Sequence, residues 1–541
     1  MKISGQIVDV LAEAIFPGEL EIADGRVAKV TRLHAAPDQV ILPGFVDAHV
    51  HIESSMLAPS EFARLAVVHG TVGTVSDPHE IGNVLGVEGV RWMIENGKTV
   101  PFKFNFGAPS CVPATTFETA GAAITAAEVD ELLSLPEIRY LSEMMNFPGV
   151  LFGDTEVHAK LQSAKKRGKV IDGHAPGLRG EDAARYASFG ITTDHECFTA
   201  DEALDKIRAG MSIIIREGSA AKNFEALIGL LREFPERIMF CSDDKHPNDL
   251  VAGHINQLVK RALAGGHELF SVLRAASLNP VKHYGLPIGL LQEGDPADFI
   301  VMDSLRTLNV LATYIDGKKV AEHGKSLIDR QPISLINNFS CANISPGELA
   351  LPAGKSSIRV IEALPGQLIT KEQTMKARIM NGCAVSDPEH DLLKLVVVNR
   401  YKAAPPAIAF ATGFGLKRGA LASSVAHDSH NIVAIGAGDD EIADAINLVI
   451  ENDGGVSLSC NGTRSVVPLP IAGLMSADDG YKVGNAYEEL DLLSKKLGCS
   501  LPSPFMTLSF LALLVIPDLK LSDLGLFDGR TFQFVDLFVE R

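Results

Sequence analysis

The sequence predicts an α/β chain built on a TIM-like (β/α)8 barrel, with a small composite β-domain and a C-terminal α+β domain. Three observations predict it. Eight short apolar runs alternate with helical stretches between residues 43 and 287, hairpin-rich segments lie on both sides of that region, and a mixed strand and helix pattern follows residue 366.

The first element, residues 1–42, reads as short strands. Glu21 to Val30 is a hairpin pattern whose Asp24-Gly25 pair suits a type I′ turn. The same pattern returns at Thr313 to Val320, around Asp316-Gly317, after the apolar run Phe299 to Met302. Residues 1–42 and 288–325 are therefore expected to form one β-domain. In the middle, 43–287, the runs end at His49, Asp77, Gly107, Glu143, His174, His195, Arg216 and Asp243. Eight strands in about 245 residues is the usual size of a (β/α)8 barrel, whose strand C-termini line the active site. Most of these runs end on an ionisable residue. Residues 326–365, rich in Pro, Ser and Asn, read as a linker. Beyond it, 366–541 is expected as the α+β domain, with strands at Leu395 to Val398 and Ala407 to Phe410 and a helix at Asp439 to Glu451.

Composition narrows the function classes. The 541 residues are 46% hydrophobic and 21% charged, an ordinary globular balance. Lys+Arg 49 against Asp+Glu 67 leaves a formal charge of −18, and no basic patch for a phosphate backbone is evident, so no nucleic-acid partner is expected. The seven cysteines are scattered and include no C-x-x-C, which points to a reducing compartment. The first residues lack a signal-peptide core. The longest apolar stretch, Leu508 to Ile516, is far short of the roughly 18–20 residues of a membrane span, so no membrane partner is expected. A cytoplasmic protein is expected, and a homo-oligomer on the prevalence of such assemblies alone.

His49-Val50-His51 ends the first run. Residues i and i+2 of a strand point to one face about 6.5–7 Å apart, close enough for two imidazoles to share a metal ion. With strand–helix units of about 20–32 residues, Glu143 falls three units after His49, His174 one unit later, His195 one more, and Asp243 two more. His49, His51, Glu143, His174, His195 and Asp243 therefore land at one end of one barrel, a set suited to a two-metal centre.

Pro43-Gly44-Phe45-Val46-Asp47-Ala48-His49-Val50-His51 and Leu290-Leu291-Gln292-Glu293-Gly294-Asp295-Pro296-Ala297-Asp298 resemble the metal-dependent amidohydrolase superfamily. More narrowly, the chain resembles the adenine deaminase family. That resemblance rests on His51-Ile52-Glu53-Ser54-Ser55, Asp77-Pro78-His79-Glu80-Ile81, Ser142-Glu143-Met144-Met145-Asn146, Ser242-Asp243-Asp244-Lys245-His246-Pro247 and His427-Asp428-Ser429-His430-Asn431, which together run along nearly the whole chain. Where many relatives use a carboxylated lysine on strand 4, Glu143 fits a direct carboxylate bridge.

The resemblance implies two divalent ions per subunit, Mn²⁺ or Fe²⁺ ahead of Zn²⁺, given His and carboxylate ligands without cysteine. It also implies adenine as substrate, converted to hypoxanthine and ammonia by a metal-bridged hydroxide, a purine-salvage reaction. Asp243 would move the proton to the departing amine. Ring N1 needs a proton donor. Glu53, Asp77 and Glu80 are candidates by position, and each can equally be a helix cap or a solvated charge. Asp244 is a candidate acceptor for a purine N–H or a group that only orients its loop; Ser110 and Glu217, on the loops after strands 3 and 7, are candidates for meeting the ring. The His427 to Asn431 segment reads as a further ion site, a closure over the barrel mouth or a hydrogen-bonded turn, with a place at the active-site edge preferred.

Two other readings stay open: the same metals acting on another cyclic amidine or amide (a pyrimidine, pterin or hydantoin-like ring), and a non-catalytic metal- or purine-binding relative. Other signatures fail. Gly347 to Ser356 has the wrong glycine spacing for a phosphate loop, no H-E-x-x-H occurs, and His51-Ile52-Glu53 lacks the P-C-x-x-C of the cytidine-deaminase type.

Overall fold

The computed structural model describes residues 1–539. Both flanks of the barrel join in one sheet, ordered Lys325–Ser326, Lys318–Glu322, Val310–Ile315, Phe299–Met302, Val40–Pro43, Lys2–Asp9, Ala14–Ala23 and Arg26–Arg32. Val40–Pro43 is the seam. It pairs antiparallel with Phe299–Met302, Pro43 opposite Phe299, and parallel with Lys2–Asp9. Asp24 and Gly25 both take left-handed φ, 50° and 76°, as do Asp316 and Gly317 at 46° and 72°, which a type I′ turn requires. Ala14–Ala23 alternates buried and half-exposed residues, so Phe16, Leu20 and Ile22 pack on one face with Ile7, Ile41 and Phe299.

Each of the eight predicted runs forms a barrel strand: β1 Phe45–Val50, β2 Thr71–Ser76, β3 Lys103–Ala108, β4 Ile138–Met144, β5 Val170–Gly173, β6 Thr193–Asp194, β7 Ser212–Arg216 and β8 Ile238–Cys241. Neighbours pair in parallel within β1 to β5 and within β6 to β8. Two short bridges, Ile171 with Ile191 and Val50 with Asp243, join these arcs into a ring. At the second bridge the Asp243 amide donates to the His49 carbonyl at 3.0 Å, which sets the last predicted ligand beside the first two. Asp47 locks the same seam: it accepts the Ser242 amide at 3.0 Å and pairs with His254 Nε2 at 2.8 Å. β1 and β2 are buried at every position, as parallel strands covered on both faces must be.

The C-terminal part builds a second sheet around Leu393–Val398, Ala407–Thr412, Ala420–Ser423, Ile432–Gly436 and Gly455–Cys460. The helix Asp439–Glu451 lays Ile442, Ala445, Ile446 and Val449 on it, the i, i+3, i+4, i+7 spacing of an amphipathic helix. One expectation is corrected here. Within 326–365, expected as a linker, Ser357–Ala363 is a strand of this sheet, paired with Thr370–Lys376 and Ala407–Thr412. Its buried Ile358, Val360 and Ile361 carry the apolar pattern, which the flanking Pro, Ser and Asn residues obscure.

Candidate metal centre and active site

The six predicted ligands converge at the C-terminal ends of the barrel strands, all buried. His49 and His51 leave β1 on the same face, and their Nε2 atoms lie 3.1 Å apart. His51 Nδ1 donates to the Asp77 carbonyl at 3.1 Å, which leaves the Nε2 lone pair facing inward. Asp243 Oδ1 stands 3.4 Å from both Nε2 atoms. Glu143, at the end of β4, reaches both halves of the cluster. Its Oε1 lies 3.4 Å from His51 Nε2, and its Oε2 lies 2.7 Å from His174 Nδ1 and 3.0 Å from His195 Nε2. Burial opposes ionisation of this carboxyl, but His174 and His195 hold it well below the usual carboxylate range.

This donor set fits divalent cations. Imidazole nitrogens and carboxylate oxygens converge within 4.8 Å of one another in the groups His49, His195, Asp243 and Glu143, His174, His195. Once the rings are neutral, these atoms direct electron pairs into a shared space that a cation would fill. Glu143 directs one oxygen toward each half of the cluster.

Around the centre lies a cavity lined by His79, Glu80, Glu196, Arg216, Asp244, His427 and Asp428, with an apolar wall of Leu368, Phe510, Leu513 and Ile516. Arg216, fully buried, forks to Glu196 and donates to Asp243 Oδ2 at 2.8 Å. Burial raises the Asp243 carboxyl, yet Arg216 and the histidines hold it well below its usual range. Asp244 Oδ1 accepts from Ser54 Oγ at 2.5 Å, and burial together with Asp243 pushes its carboxyl up.

The remaining candidates divide. Glu53 Oε1 accepts the Ile81 amide at 3.2 Å in the first turn of the helix His79–Gly97, the cap alternative, and burial pushes its carboxyl up to about 7. Asp77 engages His79 with both oxygens, each at 3.1 Å. Glu80 is bonded to His427 and His430; burial opposes its charge, but these histidines hold it well below the usual range. Ser110 Oγ donates to the Glu143 carbonyl at 2.5 Å and supports the backbone there; Ser110 is not among the residues that line the cavity. Glu217 is corrected outright. It follows Arg216, so the side-chain alternation of an extended chain turns it the other way, onto Arg261 Nη1 at 2.8 Å in a separate outer cleft.

Sequence reasoning passed over His79, Glu196 and the apolar wall. Glu196 directly follows His195, and no pattern distinguishes it. His79 sits inside Asp77-Pro78-His79-Glu80-Ile81, quoted for resemblance but given no role. The wall had a signal: Leu508 to Ile516, weighed only as a membrane span, supplies Phe510, Leu513 and Ile516.

A closed (β/α)8 barrel with imidazole and carboxylate donors at its strand ends defines a hydrolase of the amidohydrolase family, whose model matches residues 40–320. The model of the adenine deaminase C-terminal domain matches residues 367–533. An adenine deaminase of Salinibacter ruber is 56% identical over 541 residues, spanning 100% of this chain and 99% of its own. Those of Sulfurovum sp. and Methanosarcina acetivorans are 54% and 52% identical over 537 and 551 residues, spanning 99% and 100% of this chain and 99% and 100% of their own. The chain belongs to the adenine deaminase family.

Proposed function

We propose that this protein hydrolyses adenine to hypoxanthine and ammonia. The observation that carries the reading is the closure of a six-donor centre beneath the apolar wall of Leu368, Phe510, Leu513 and Ile516, which suits an apolar ring face. His49, His51, Glu143, His174, His195 and Asp243 would hold two divalent ions, Mn²⁺ or Fe²⁺ ahead of Zn²⁺ because all donors are nitrogen or oxygen. When bound, such ions acidify a water toward a pKa of about 7, supplying a nucleophile at neutral pH.

The protein's own groups do the rest. Asp243 presents Oδ1 to the centre while Arg216 holds Oδ2, so the free oxygen is aimed to take a proton from the attacking water and hand it to the amine. Ammonia then departs in place of amide ion. Asp244, anchored through Oδ1 by Ser54, has Oδ2 to accept a purine N–H. The wall excludes bulk water from the reacting carbon.

A purine-salvage role in a reducing, cytoplasmic setting is part of this reading, supported by seven free cysteines. Among the described residues, no helix is long and apolar enough to cross a membrane. A homo-oligomer is expected, to be read by sedimentation. The test of the activity is the ultraviolet spectrum of adenine over time, with two equivalents of Mn²⁺ and a chelated control. A metal-dependent shift to hypoxanthine with ammonia released one for one is expected. No change, with two ions found bound, would overturn adenine as substrate and point to another cyclic amidine.

A further inference from the structure

Glu80, His427 and His430 gather three buried donors outside the six-donor centre, and they come from two domains. Glu80 lies in the first turn of the helix after β2, whereas the histidines belong to the C-terminal segment. A third cation is one reading of such a trio. The protons exclude it. His430 Nδ1 accepts the Ala426 amide at 3.2 Å, and an amide only donates, so the His430 proton resides on Nε2 and is given to Glu80 Oε2. The other oxygen, Glu80 Oε1, faces His427 Nδ1. An anionic carboxylate there takes the Nδ1 proton of His427. Neither nitrogen facing Glu80 then has a lone pair for a metal.

What remains is His427 Nε2. It is buried and, among the described residues, has no hydrogen-bond partner. His427 nevertheless lines the same cavity as Glu143, His174 and Asp243. Its ring is held in two further ways: it stacks on Phe510 with centroids 4.4 Å apart and planes 17° apart, and Glu80 fixes its rotation. Burial opposes its charge, but Glu80 and Asp244 pull the imidazole up to about 9, which favours a second proton, on Nε2. A buried, oriented N–H without a partner calls for an acceptor brought by the ligand. Purines offer in-plane lone pairs on ring nitrogens for that purpose.

We infer that His427 Nε2 donates a hydrogen bond to a ring nitrogen of the purine, so that the C-terminal domain completes the substrate site, with Glu80 and His430 as positioning residues. This rests on the adenine reading above. In chemical terms the barrel supplies the reacting centre, and the second domain supplies a directional contact that an apolar wall alone cannot.

The test compares 1-deaza-, 3-deaza- and 7-deazaadenine as competitive inhibitors of the parent and of His427→Gln and His427→Asn, each loaded with metal. Each analogue replaces one ring nitrogen by C–H. In the parent, one analogue is expected to bind about 10- to 100-fold more weakly than the others. In both variants that difference should collapse to within about twofold, with two ions still bound and the melting temperature held. Glu80→Gln should shrink the same difference and raise KM more than it lowers kcat, which loss of fold alone does not do. If His427→Gln and His427→Asn keep the parent's ranking of all three analogues, the inference is overturned. Should neither variant fold, ¹⁵N-histidine spectra of the parent decide. A shift of the His427 Nε2 resonance with two of the analogues and not with the third supports it, and equal response to all three refutes it. Failure of the adenine reading is separate and visible first: the parent then neither converts adenine nor is inhibited by any analogue.

Discussion

Arg216 holds Asp243 by the oxygen that faces away from the imidazole pair: Nη1 is 2.8 Å from Oδ2, while Oδ1 is 3.4 Å from the Nε2 atoms of both His49 and His51. One carboxylate is thereby divided between the Arg216 guanidinium and the imidazole pair. Arg216 is 1% exposed and also forks to Glu196, so it compensates two buried acids at once. Arg216→Met should lower kcat about 10²-fold and destabilise the fold by about 3–5 kcal/mol, because two carboxylates lose their partner. Arg216→Lys should recover part of the stability and little of the rate, since an ammonium cannot reproduce the fork. Denaturant unfolding and steady-state rates check both; a Met variant as stable and active as the parent would remove Arg216 from this role.

Asp243→Asn tests the proton transfer itself. Turnover of adenine should fall about 10²-fold or more, because the amide cannot accept the proton that must reach the amine. Turnover at the parent rate would take Asp243 out of the mechanism.

Glu143 touches His51 with one oxygen and His174 and His195 with the other. Glu143→Ala should remove metal binding and activity together, with bound metal falling below one ion per chain by elemental analysis. A folded variant that keeps two ions and near-normal rates would refute the bridge.

Glu53 makes a prediction about pH. Burial lifts its folded pKa to about 7 from an ordinary 4.5, so between these values the native state binds the extra proton. The contribution of Glu53 to the stability of the metal-free protein therefore falls as pH rises from about 4.5 to 7 and is level above that. Glu53→Gln keeps an acceptor for the Ile81 amide and removes the buried charge, so it should flatten this decline and stabilise the protein at pH 8 by up to about 3 kcal/mol. Unfolding curves at pH 5, 7 and 8 decide it, and a variant with the parent's slope would show that Glu53 does not carry the effect.

Phe510 stacks on His427 and forms part of the cavity wall. Phe510→Ala should raise KM for adenine about tenfold, and the lost packing should cost about 3–5 kcal/mol of stability. An unchanged KM would mean that the wall does not meet the ring.

The legible parts of the molecule are those written in short-range pattern. The convergence of His49 and His51 was readable because period two puts both on one face, and that of Glu143, His174, His195 and Asp243 because each strand–helix unit returns the chain to the same end of the barrel. The hairpins at Asp24-Gly25 and Asp316-Gly317 were readable from turn chemistry, and their left-handed φ values agree. Glu217 was misread because strand position was counted without asking which way the side chain points. Position alone did not show that the Ser110 hydroxyl serves the backbone, where it bonds the Glu143 carbonyl. The strand Ser357–Ala363 was missed because polar flanks outweighed a short apolar run that lacks the period of two.

By itself, then, the sequence determined the barrel, the six donors and the hairpins, since each depends on periodicities that the backbone imposes within a few residues or one repeating unit. Only the tertiary structure decided which groups close the site. Glu80 meets His427 across 347 residues and His430 across 350, and the apolar run at Leu508 to Ile516 folds back over the barrel mouth. No local periodicity encodes such meetings. They follow from how the second domain buries its own apolar faces, and that packing places an imidazole from the end of the chain against a carboxylate near its start.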